Sequence, residues 1–338
     1  MRYSLIIPVY NRPDEIDELL ESITHQSGSD FEVIVVEDGS AHPCSEVVGR
    51  YQDRIAHLHY YSKPNSGPGQ SRNYGAQRAQ GEYLIVLDSD VVIPEGYLDA
   101  ITSELDREAS DAFGGPDRAN QSFSPIQKAI NYSMTSFFTT GGIRGGKRQM
   151  DKFYPRSFNM GIRREVYHAL GGFSKMRFGE DIDFSIRIFK GGYRCRLFPE
   201  AWVWHKRRTD LRKFFRQVYN SGIARINLFK KYPESLKLVH LLPFAFTAGC
   251  LLLLLLTLVG LPFVGAPMLL ALSPLALFAL LVLADSAIRN RSLHVGLLSI
   301  GASFVQLTGY GTGFAHALWQ RVIRGKDEFQ AFQKNFYK

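Results

Sequence analysis

Two acidic side chains follow a short apolar segment of this sequence. Residues Tyr83–Leu87 are apolar, and Asp88, Ser89 and Asp90 come directly after them. Such a segment predicts a buried strand of a parallel sheet, in which residues i and i+2 point the same way. Asp88 and Asp90 would then converge at a carboxyl strand end, where open α/β sheets bind ligands. Mg²⁺ or Mn²⁺, completed by phosphate oxygens, would relieve their repulsion. A simple turn is the alternative, because Asp and Ser also suit strand ends.

Alternating strands and helices position this acidic pair. Strands are predicted at residues 4–10, 31–36 and 55–61, with a helix after each. This alternation predicts a doubly wound, mostly parallel sheet with helices on both faces. Right-handed crossovers would bring Asp38 and Asp88 to the same edge of that sheet. Beyond Pro94 the alternation weakens, and further strands are predicted at residues 112–115, 157–162, 193–198 and 201–205.

Two later segments also carry side chains that could act on a substrate. Glu180, Asp181 and Asp183 lie in the first turn of a predicted helix, where acids can simply cap the helix dipole. The i,i+3 spacing of Glu180 and Asp183 predicts a shared helix face. Residues 141–148 are rich in glycine and basic residues. They predict either a surface loop or a lid that orders over a diphosphate.

Composition excludes several function classes. The chain has 338 residues and a formal net charge of +8. Nucleic acid is not an expected partner, because aromatic-basic runs and zinc-ligand spacings are absent. Phosphorylated substrates and an anionic membrane surface both suit the charge. The three cysteines, Cys44, Cys195 and Cys250, form no CxxC pair and favour a reducing compartment. The N-terminus leads directly into a strand, so no signal peptide is expected.

The C-terminal third is far more apolar than the rest. Segments at about 238–261 and 263–285 are long enough to cross a bilayer. A third, at about 294–319, carries polar residues and glycines; spanning, re-entrant and interfacial positions all remain open for it. A buried helical domain is the alternative for the whole region. The positive-inside rule favours a hairpin of the first two segments, with the third not crossing. The basic residues behind this prediction are Lys230, Lys231, Lys237, Arg289, Arg291, Arg321, Arg324 and Lys326.

Five short motifs occur in a recognisable order. They lie at residues 6–11, 36–40, 71–75, 87–90 and 179–181. In this order they resemble the motifs of the family-2 inverting glycosyltransferases, and the resemblance covers about residues 1–222. It implies a GT-A fold, which is a Rossmann-like α/β domain that binds a nucleotide-sugar. UDP- and GDP-sugars are the donors that we expect, with Mg²⁺ or Mn²⁺ as cofactor.

The resemblance also implies roles for single residues at the donor site. Asp88 and Asp90 match the metal-binding DxD motif, with Asp90 the more direct ligand and Ser89 between them at the donor. Asp38 matches the residue that contacts the base or ribose, and a helix N-cap is its alternative. The remaining donor contacts that the resemblance implies are Pro8, Tyr10 and Arg72. Arg72 could equally be a structural ion-pair partner.

Two further residues complete the implied active site. Asp181 matches the catalytic base, which removes a proton from the acceptor hydroxyl. One base without a protein nucleophile implies single displacement and hence inversion. His205 resembles a residue that binds the metal or diphosphate in some GT-A enzymes, although a histidine at a strand end is often structural. Glu180 and Asp183 are expected to orient Asp181 or to contact the acceptor. Gln217 is not followed by an Arg-Trp pair, which argues against a processive polysaccharide synthase.

These observations predict a catalytic domain at 1–232, membrane-embedded helices at 233–320 and a basic cytoplasmic tail at 321–338. The expected function is transfer of a sugar to a lipid-linked acceptor at the cell membrane, with the catalytic domain in the cytoplasm and membrane lipids as partners. A basic amphipathic helix at 211–229 suits the membrane surface. A polyprenyl-phosphate glycosyltransferase is the close alternative, since a phosphate acceptor needs no base. A non-catalytic nucleotide-binding scaffold and a nucleotidyltransferase are weaker alternatives.

Overall fold

The computed structural model describes residues 1–28, 30–118, 123–140 and 153–327. These residues form two compact units. The first contains the described residues up to 118 and those from 153 to 206, and the second contains 123–140 and 207–327. The division after residue 206 lies one helix before the predicted boundary at 232, which stays a prediction. The predicted glycine-rich lid at 141–148 lies outside the described residues.

The first unit is built on a seven-stranded sheet. In chain order the strands of the protein are β1 (Tyr3–Val9), β2 (Phe31–Asp38), β3 (Leu58–Lys63), β4 (Tyr83–Leu87), β5 (Val91–Val92), β6 (Ala112–Gly114), β7 (Asp117–Arg118), β8 (Asn159–Arg163), β9 (Cys195–Leu197) and β10 (Val203–His205). The large sheet has the order β3-β2-β1-β4-β8-β6-β9. Strands β1 to β4 are parallel, as the alternation predicts, whereas β8 runs antiparallel to both of its neighbours.

The helices are α1 (Pro13–Thr24), α2 (Ser45–Gly49), α3 (Pro68–Ala76), α4 (Tyr97–Arg107), α5 (Pro125–Thr135), α6 (Phe137–Thr140), α7 (Arg164–Ala169), α8 (Glu180–Lys190), α9 (Leu211–Lys231), α10 (Leu242–Val264), α11 (Ser273–Asn290) and α12 (Leu293–Ala317). Short 3₁₀ segments at Leu238–Leu241 and Ala266–Leu272 precede α10 and α11, and a π-helical segment, Leu318–Ile323, follows α12.

Helices cover both faces of the large sheet. Successive side chains of a strand alternate between faces, so Leu5 and Ile7 of β1 pack into one core together with Ile16 of α1. Ile6 points into a second core, which includes Ala76 of α3 and Phe184 of α8. This double burial explains why β1, β2 and β4 are nearly continuous apolar runs.

A small second sheet fixes the chain beyond β4. It has the order β5-β10-β7, with β10 antiparallel to β5 and parallel to β7. In this pairing His205 lies opposite Val91, the residue after Asp90. The backbone N–H of Lys206 donates to the Asp90 carbonyl at 3.1 Å. The small sheet therefore brings the end of β10 beside the acidic segment that follows β4.

The second unit is entirely helical in its described part. Two of its segments, Leu238–Val264 and Ala266–Asn290, are long and apolar enough to be candidate membrane spans, and they coincide with the two predicted segments. The third predicted segment corresponds to α12, which is not one of these candidates. One core joins α12 to α5 and α9 through buried Ile130, Phe214 and Ala302.

Candidate functional site

The carboxyl ends of the parallel strands gather polar residues at one edge of the large sheet. Residues 10–12 follow β1, Asp38 ends β2 and Asp88 follows β4. Asn11 has a left-handed φ of 52°, a conformation that Asn tolerates better than most residues. Its N–H donates to Ser40 Oγ at 2.7 Å, and its Oδ1 accepts from His42 N at 3.0 Å. Asn11 thus joins the loops that follow β1 and β2.

The three predicted metal ligands lie together at this edge. Asp88, Asp90 and His205 each offer one ligand atom, and these atoms lie within 4.8 Å of one another. Asp90 Oδ1 is 3.3 Å from His205 Nε2. Adjacent ligands of an octahedral ion with bonds near 2.1 Å lie about 3 Å apart, so this separation suits a shared ion. Carboxylate oxygens are ligands that suit Mn²⁺ and Mg²⁺, and His205 adds an imidazole nitrogen beside them.

An arginine pairs with each carboxylate of the DxD motif. Arg72 donates to Asp88 Oδ1 at 2.7 Å, and Arg12 donates to Asp90 Oδ2 at 2.6 Å. Burial opposes ionisation of Asp90, but His205 and Arg12 hold its pKa well below the usual range. Arg72 also pairs with Glu180 at 3.1 Å. The structure therefore gives Arg72 the ion-pair role that was its alternative, while a phosphate or base contact stays a prediction.

Asp181, the predicted base, lies in the first turn of α8 beside Arg156. Arg156 Nε donates to Asp181 Oδ2 at 2.6 Å, and the N–H of Ile182 donates to Oδ1 at 2.8 Å. Burial favours the neutral acid, but the charge and hydrogen bond of Arg156 outweigh it, so the pKa of Asp181 is lowered. Asp181 is therefore ionised and oriented at neutral pH.

The neighbouring acids of α8 have different surroundings. Glu180 faces Arg72, and burial together with the charge of Asp181 raises its pKa to about 7. Asp183 is fully buried and accepts from Arg187 Nε at 3.0 Å. Arg187 in turn donates to the carbonyl oxygens of Leu170 and Gly172. The carboxylate of Asp183 is thus paired inside the core, and its expected role in orienting Asp181 or contacting the acceptor stays a prediction.

The remaining predicted donor residues lie at the ends of β1, β2 and β4. Pro8 is buried in β1, Tyr10 is half-buried after it, and Ser89 is buried between the two acids. Their donor contacts stay predictions.

Asp38 is fully engaged with the loop before α3. Its carboxylate pairs with Lys63 and accepts from the backbone N–H groups of Ser66 and Gly67, each at 2.9 Å. The N-cap residues of α2 and α3 are Cys44 and Gly67, so Asp38 holds the loop before α3 and is not itself a helix N-cap. The predicted contact with the base or ribose stays a prediction.

Sequence reasoning missed Arg12 and Arg156. Arg12 directly follows the first motif, at the end of a strand predicted to reach the site, so its position was an available signal. Arg156 lies 25 residues before its partner Asp181, in a segment without regular alternation. Local spacing therefore gave no signal for it.

Comparisons with known proteins concern the family and the fold of the chain. The model of the family described as "Glycosyl transferase family 2" matches residues 4–171. The uncharacterized glycosyltransferase EpsJ of Bacillus subtilis is 26% identical over 206 residues, which cover 59% of this chain and 59% of EpsJ. Poly(ribitol-phosphate) beta-N-acetylglucosaminyltransferase TarS of Staphylococcus aureus is 34% identical over 114 residues, covering 33% of this chain and 20% of TarS. The chain thus spans less than two thirds of the length of these relatives.

A solved structure extends the likeness to the described fold. The mannosyltransferase PcManGT of Pyrobaculum calidifontis, in complex with GDP-Man and Mn²⁺, superimposes with a TM-score of 0.66 at 18% identity. The superposition covers 95% of this chain and 88% of PcManGT. The predicted GT-A type of α/β fold is thereby confirmed.

Proposed function

The chain carries a glycosyl transferase family 2 domain, and we propose that it moves a sugar from a nucleotide-sugar to a lipid-linked acceptor, with inversion at the anomeric carbon. One observation carries this proposal. Asp88, Asp90 and His205 converge at the carboxyl edge of the sheet, and Arg72 links Asp88 to the acidic start of α8. The proposed metal ligands are therefore connected through Arg72 to Glu180, the residue before the proposed base Asp181.

The kinds of ligand atom present support a divalent ion at Asp88, Asp90 and His205. Two hard carboxylates, with the separations given above, suit Mn²⁺ or Mg²⁺, and His205 offers a third ligand atom beside them. When bound, such an ion supplies Lewis-acid neutralisation of the diphosphate leaving group. The pairing of β10 with β5 holds His205 beside Asp90, so these proposed metal ligands come from two separate strand ends.

Asp181 is the base in this proposal. Its ionised carboxylate accepts the proton of the acceptor hydroxyl as that oxygen attacks the anomeric carbon. Arg156 and the N–H of Ile182 bind its two oxygens and orient them. In this proposal the acceptor oxygen attacks the anomeric carbon directly as the nucleoside diphosphate leaves, so a single displacement inverts the configuration.

A phosphate acceptor is the second candidate, and the Arg156–Asp181 pair favours it. A carboxylate whose pKa is lowered by an arginine is a weaker base than an unpaired one. A polyprenyl phosphate is already ionised and needs no base. In that case Arg156, whose side chain is 38% exposed, forms an ion pair with the acceptor phosphate. The two candidates differ in whether Asp181 is required.

The C-terminal helices support a membrane location. The two candidate spans have a mean hydropathy of 2.5 and 2.4, and Lys230 and Lys231 lie at the end of α9 before the first of them. Basic residues beside membrane spans favour the cytoplasmic side. A lipid-linked acceptor confined to that surface gains from such an anchor through proximity.

The test is a donor panel with the full-length protein in detergent. GDP-mannose and UDP-N-acetylglucosamine are its first members. PcManGT is solved with GDP-Man, and the name of TarS gives N-acetylglucosamine as the sugar that TarS transfers. We expect nucleotide release from one donor with Mn²⁺ or Mg²⁺, and its loss in EDTA. Undiminished release in EDTA would remove the metal from the proposal. Release from no donor, with a lipid acceptor present, would contradict the proposed transfer.

A further inference from the structure

We propose that Arg12 is a displaceable counter-cation that couples metal binding to donor binding. Its guanidinium forms an ion pair with Asp90 when no metal ion is bound. Once a metal ion binds Asp90, the guanidinium pairs with the diphosphate of the sugar donor instead. This inference rests on the proposed function, because it assumes the divalent ion at Asp88, Asp90 and His205. It adds a residue outside the DxD motif that sets the order and strength of donor binding.

The geometry makes Arg12 a direct competitor for the ion. Arg12 Nη1 lies 2.6 Å from Asp90 Oδ2, while the other carboxylate oxygen faces His205 Nε2 at 3.3 Å. Asp90 is buried, so it has little solvent with which to replace a lost partner. A divalent ion and a guanidinium on the same carboxylate would repel each other strongly at such separations. Binding of the ion alone must therefore displace Arg12 or tolerate its charge.

Arg72 shows by contrast why Arg12 is the arginine that moves. Arg72 is 3% exposed, pairs with both Asp88 and Glu180, and lies over the Phe173 ring at 5.1 Å. The Arg12 side chain is 30% exposed, and in the described part of the chain its one ion-pair partner is Asp90. Arg72 is thus held by two carboxylates and an aromatic ring, whereas Arg12 has one ion pair among the described residues, with the charges of Glu15 and Asp88 acting on it from farther away.

The backbone confines this movement to the Arg12 side chain. The carbonyl of Arg12 accepts from the N–H of Ile16 at 3.1 Å, which begins α1. Pro13 follows at the first helical position, and the hydrogen bonds of Asn11 connect the loop after β1 to the loop after β2. The guanidinium can therefore change its partner while the loop keeps its position.

A diphosphate supplies the partner that the displaced guanidinium needs. Arginine recognises phosphate oxygens through directed, charge-assisted hydrogen bonds. When a nucleoside diphosphate is bound, its negative charge lies near both the ion on Asp90 and the guanidinium of Arg12. This negative charge offsets the repulsion between the two positive charges. Ion and nucleotide then bind more tightly together than singly, and linkage requires this coupling to be reciprocal.

The experiment measures Mn²⁺ binding by the full-length protein in detergent. Free Mn²⁺ is quantified by electron paramagnetic resonance, alone and with saturating GDP or UDP. Arg12→Gln removes the competing charge, and Arg12→Lys retains it. Arg54→Gln is the matched control, since it removes one positive charge from an exposed ion pair with Glu21. Circular dichroism melting checks that each variant is folded.

For Arg12→Gln we expect Mn²⁺ alone to bind about tenfold more tightly, because a neighbouring positive charge is gone. The tightening of Mn²⁺ binding by the nucleotide should fall by a similar factor. Arg12→Lys and Arg54→Gln should retain the wild-type coupling. Unchanged or weaker binding of Mn²⁺ alone by Arg12→Gln would overturn the inference while leaving the metal site intact. Absence of Mn²⁺ binding by the wild type, with or without nucleotide, would overturn the proposed metal site and this inference together.

Discussion

The two units of the molecule distribute polar and apolar side chains in opposite ways. In the first, Leu5, Ile7 and their neighbours are fully buried, and acids and arginines gather at the strand ends. In the second, Leu255 of α10 is 58% exposed, whereas Ser286 and Ser299 are fully buried and share a 2.7 Å hydrogen bond. Burial of apolar groups away from water organises the first unit. In the second, small and hydroxyl-bearing residues make close contacts between helices, beside the apolar core that joins α5, α9 and α12.

This difference indicates where substitutions should affect chemistry and where they should affect packing. The largest effect is expected at the polar edge of the first unit. Asp90→Ala removes a proposed metal ligand together with the partner of Arg12 and His205, so we expect sugar transfer to be abolished. The measurement is product formation with Mn²⁺, and EDTA should do the same to the wild type. Transfer by Asp90→Ala at a substantial fraction of the wild-type rate would remove Asp90 from the metal site.

Asp181→Asn should have the next largest effect. The change keeps the size of the side chain and removes its proton-accepting charge, so turnover should fall on the order of 10²–10⁴-fold. Donor binding, measured by calorimetry, should survive. Turnover close to that of the wild type would favour the phosphate acceptor, which requires no base.

The pH profile separates Asp181 from Glu180. The pKa of Asp181 is lowered, so its basic form persists as the pH falls to the ordinary range of aspartate and below. The pKa of Glu180 is raised to about 7, so Glu180 takes up a proton as the pH falls through neutrality. A change in rate near pH 7 that Glu180→Gln abolishes would therefore belong to Glu180, while a rate loss confined to acidic pH would fit Asp181.

In the second unit the equivalent test concerns a glycine rather than an acid. A Cβ at Gly313 of α12 would lie 2.0 Å from the backbone oxygen of Tyr219 in α9. Gly313→Ala should therefore force α9 and α12 apart and destabilise the protein by about 1–3 kcal/mol. Gly249→Ala in α10 is the control, because a Cβ there meets no atom within 4 Å. Thermal melting in detergent should show a lower midpoint for Gly313→Ala alone, and equal midpoints would contradict the close crossing.

The same contrast explains which features could be predicted from the sequence. The strands β1, β2 and β4 and the candidate spans are apolar runs whose length and composition are local properties. The convergence of Asp88 and Asp90 also follows locally, from the i,i+2 geometry of a strand. The partners of these acids did not follow, since Arg12 lies 78 residues from Asp90 and Arg72 lies 108 residues from Glu180. Such pairs depend on the strand order, which periodicity alone does not fix.

The helix α9 shows the same limit on a larger scale. Its amphipathic pattern predicted a helix at 211–229, and the structure has it at Leu211–Lys231. The pattern could not identify what covers the apolar face. Phe214 is fully buried in the core shared with α5 and α12, while Phe215 is 39% exposed. A membrane-surface position for the exposed face stays a proposal, and truncation at Tyr232 would separate α9 from α12. Tests of acceptor use therefore require the whole chain.

The smallest effect is expected at an apolar side chain that is mostly exposed. Leu255→Ala removes methyl groups from an exposed position of α10, so it opens no cavity and should change the free energy of unfolding in detergent by no more than about 0.5 kcal/mol. Ile7→Ala removes a comparable amount of side chain from the closed core beside α1 and should lower the free energy of unfolding by about 2–5 kcal/mol. Unfolding of both variants is followed by circular dichroism. A cost for Leu255→Ala approaching that for Ile7→Ala would mean that α10 is covered by protein, for example a second copy of the chain. A small cost would leave lipid as the natural neighbour of this face, because a side chain that contacts only hydrocarbon exchanges one apolar surrounding for another when it is shortened.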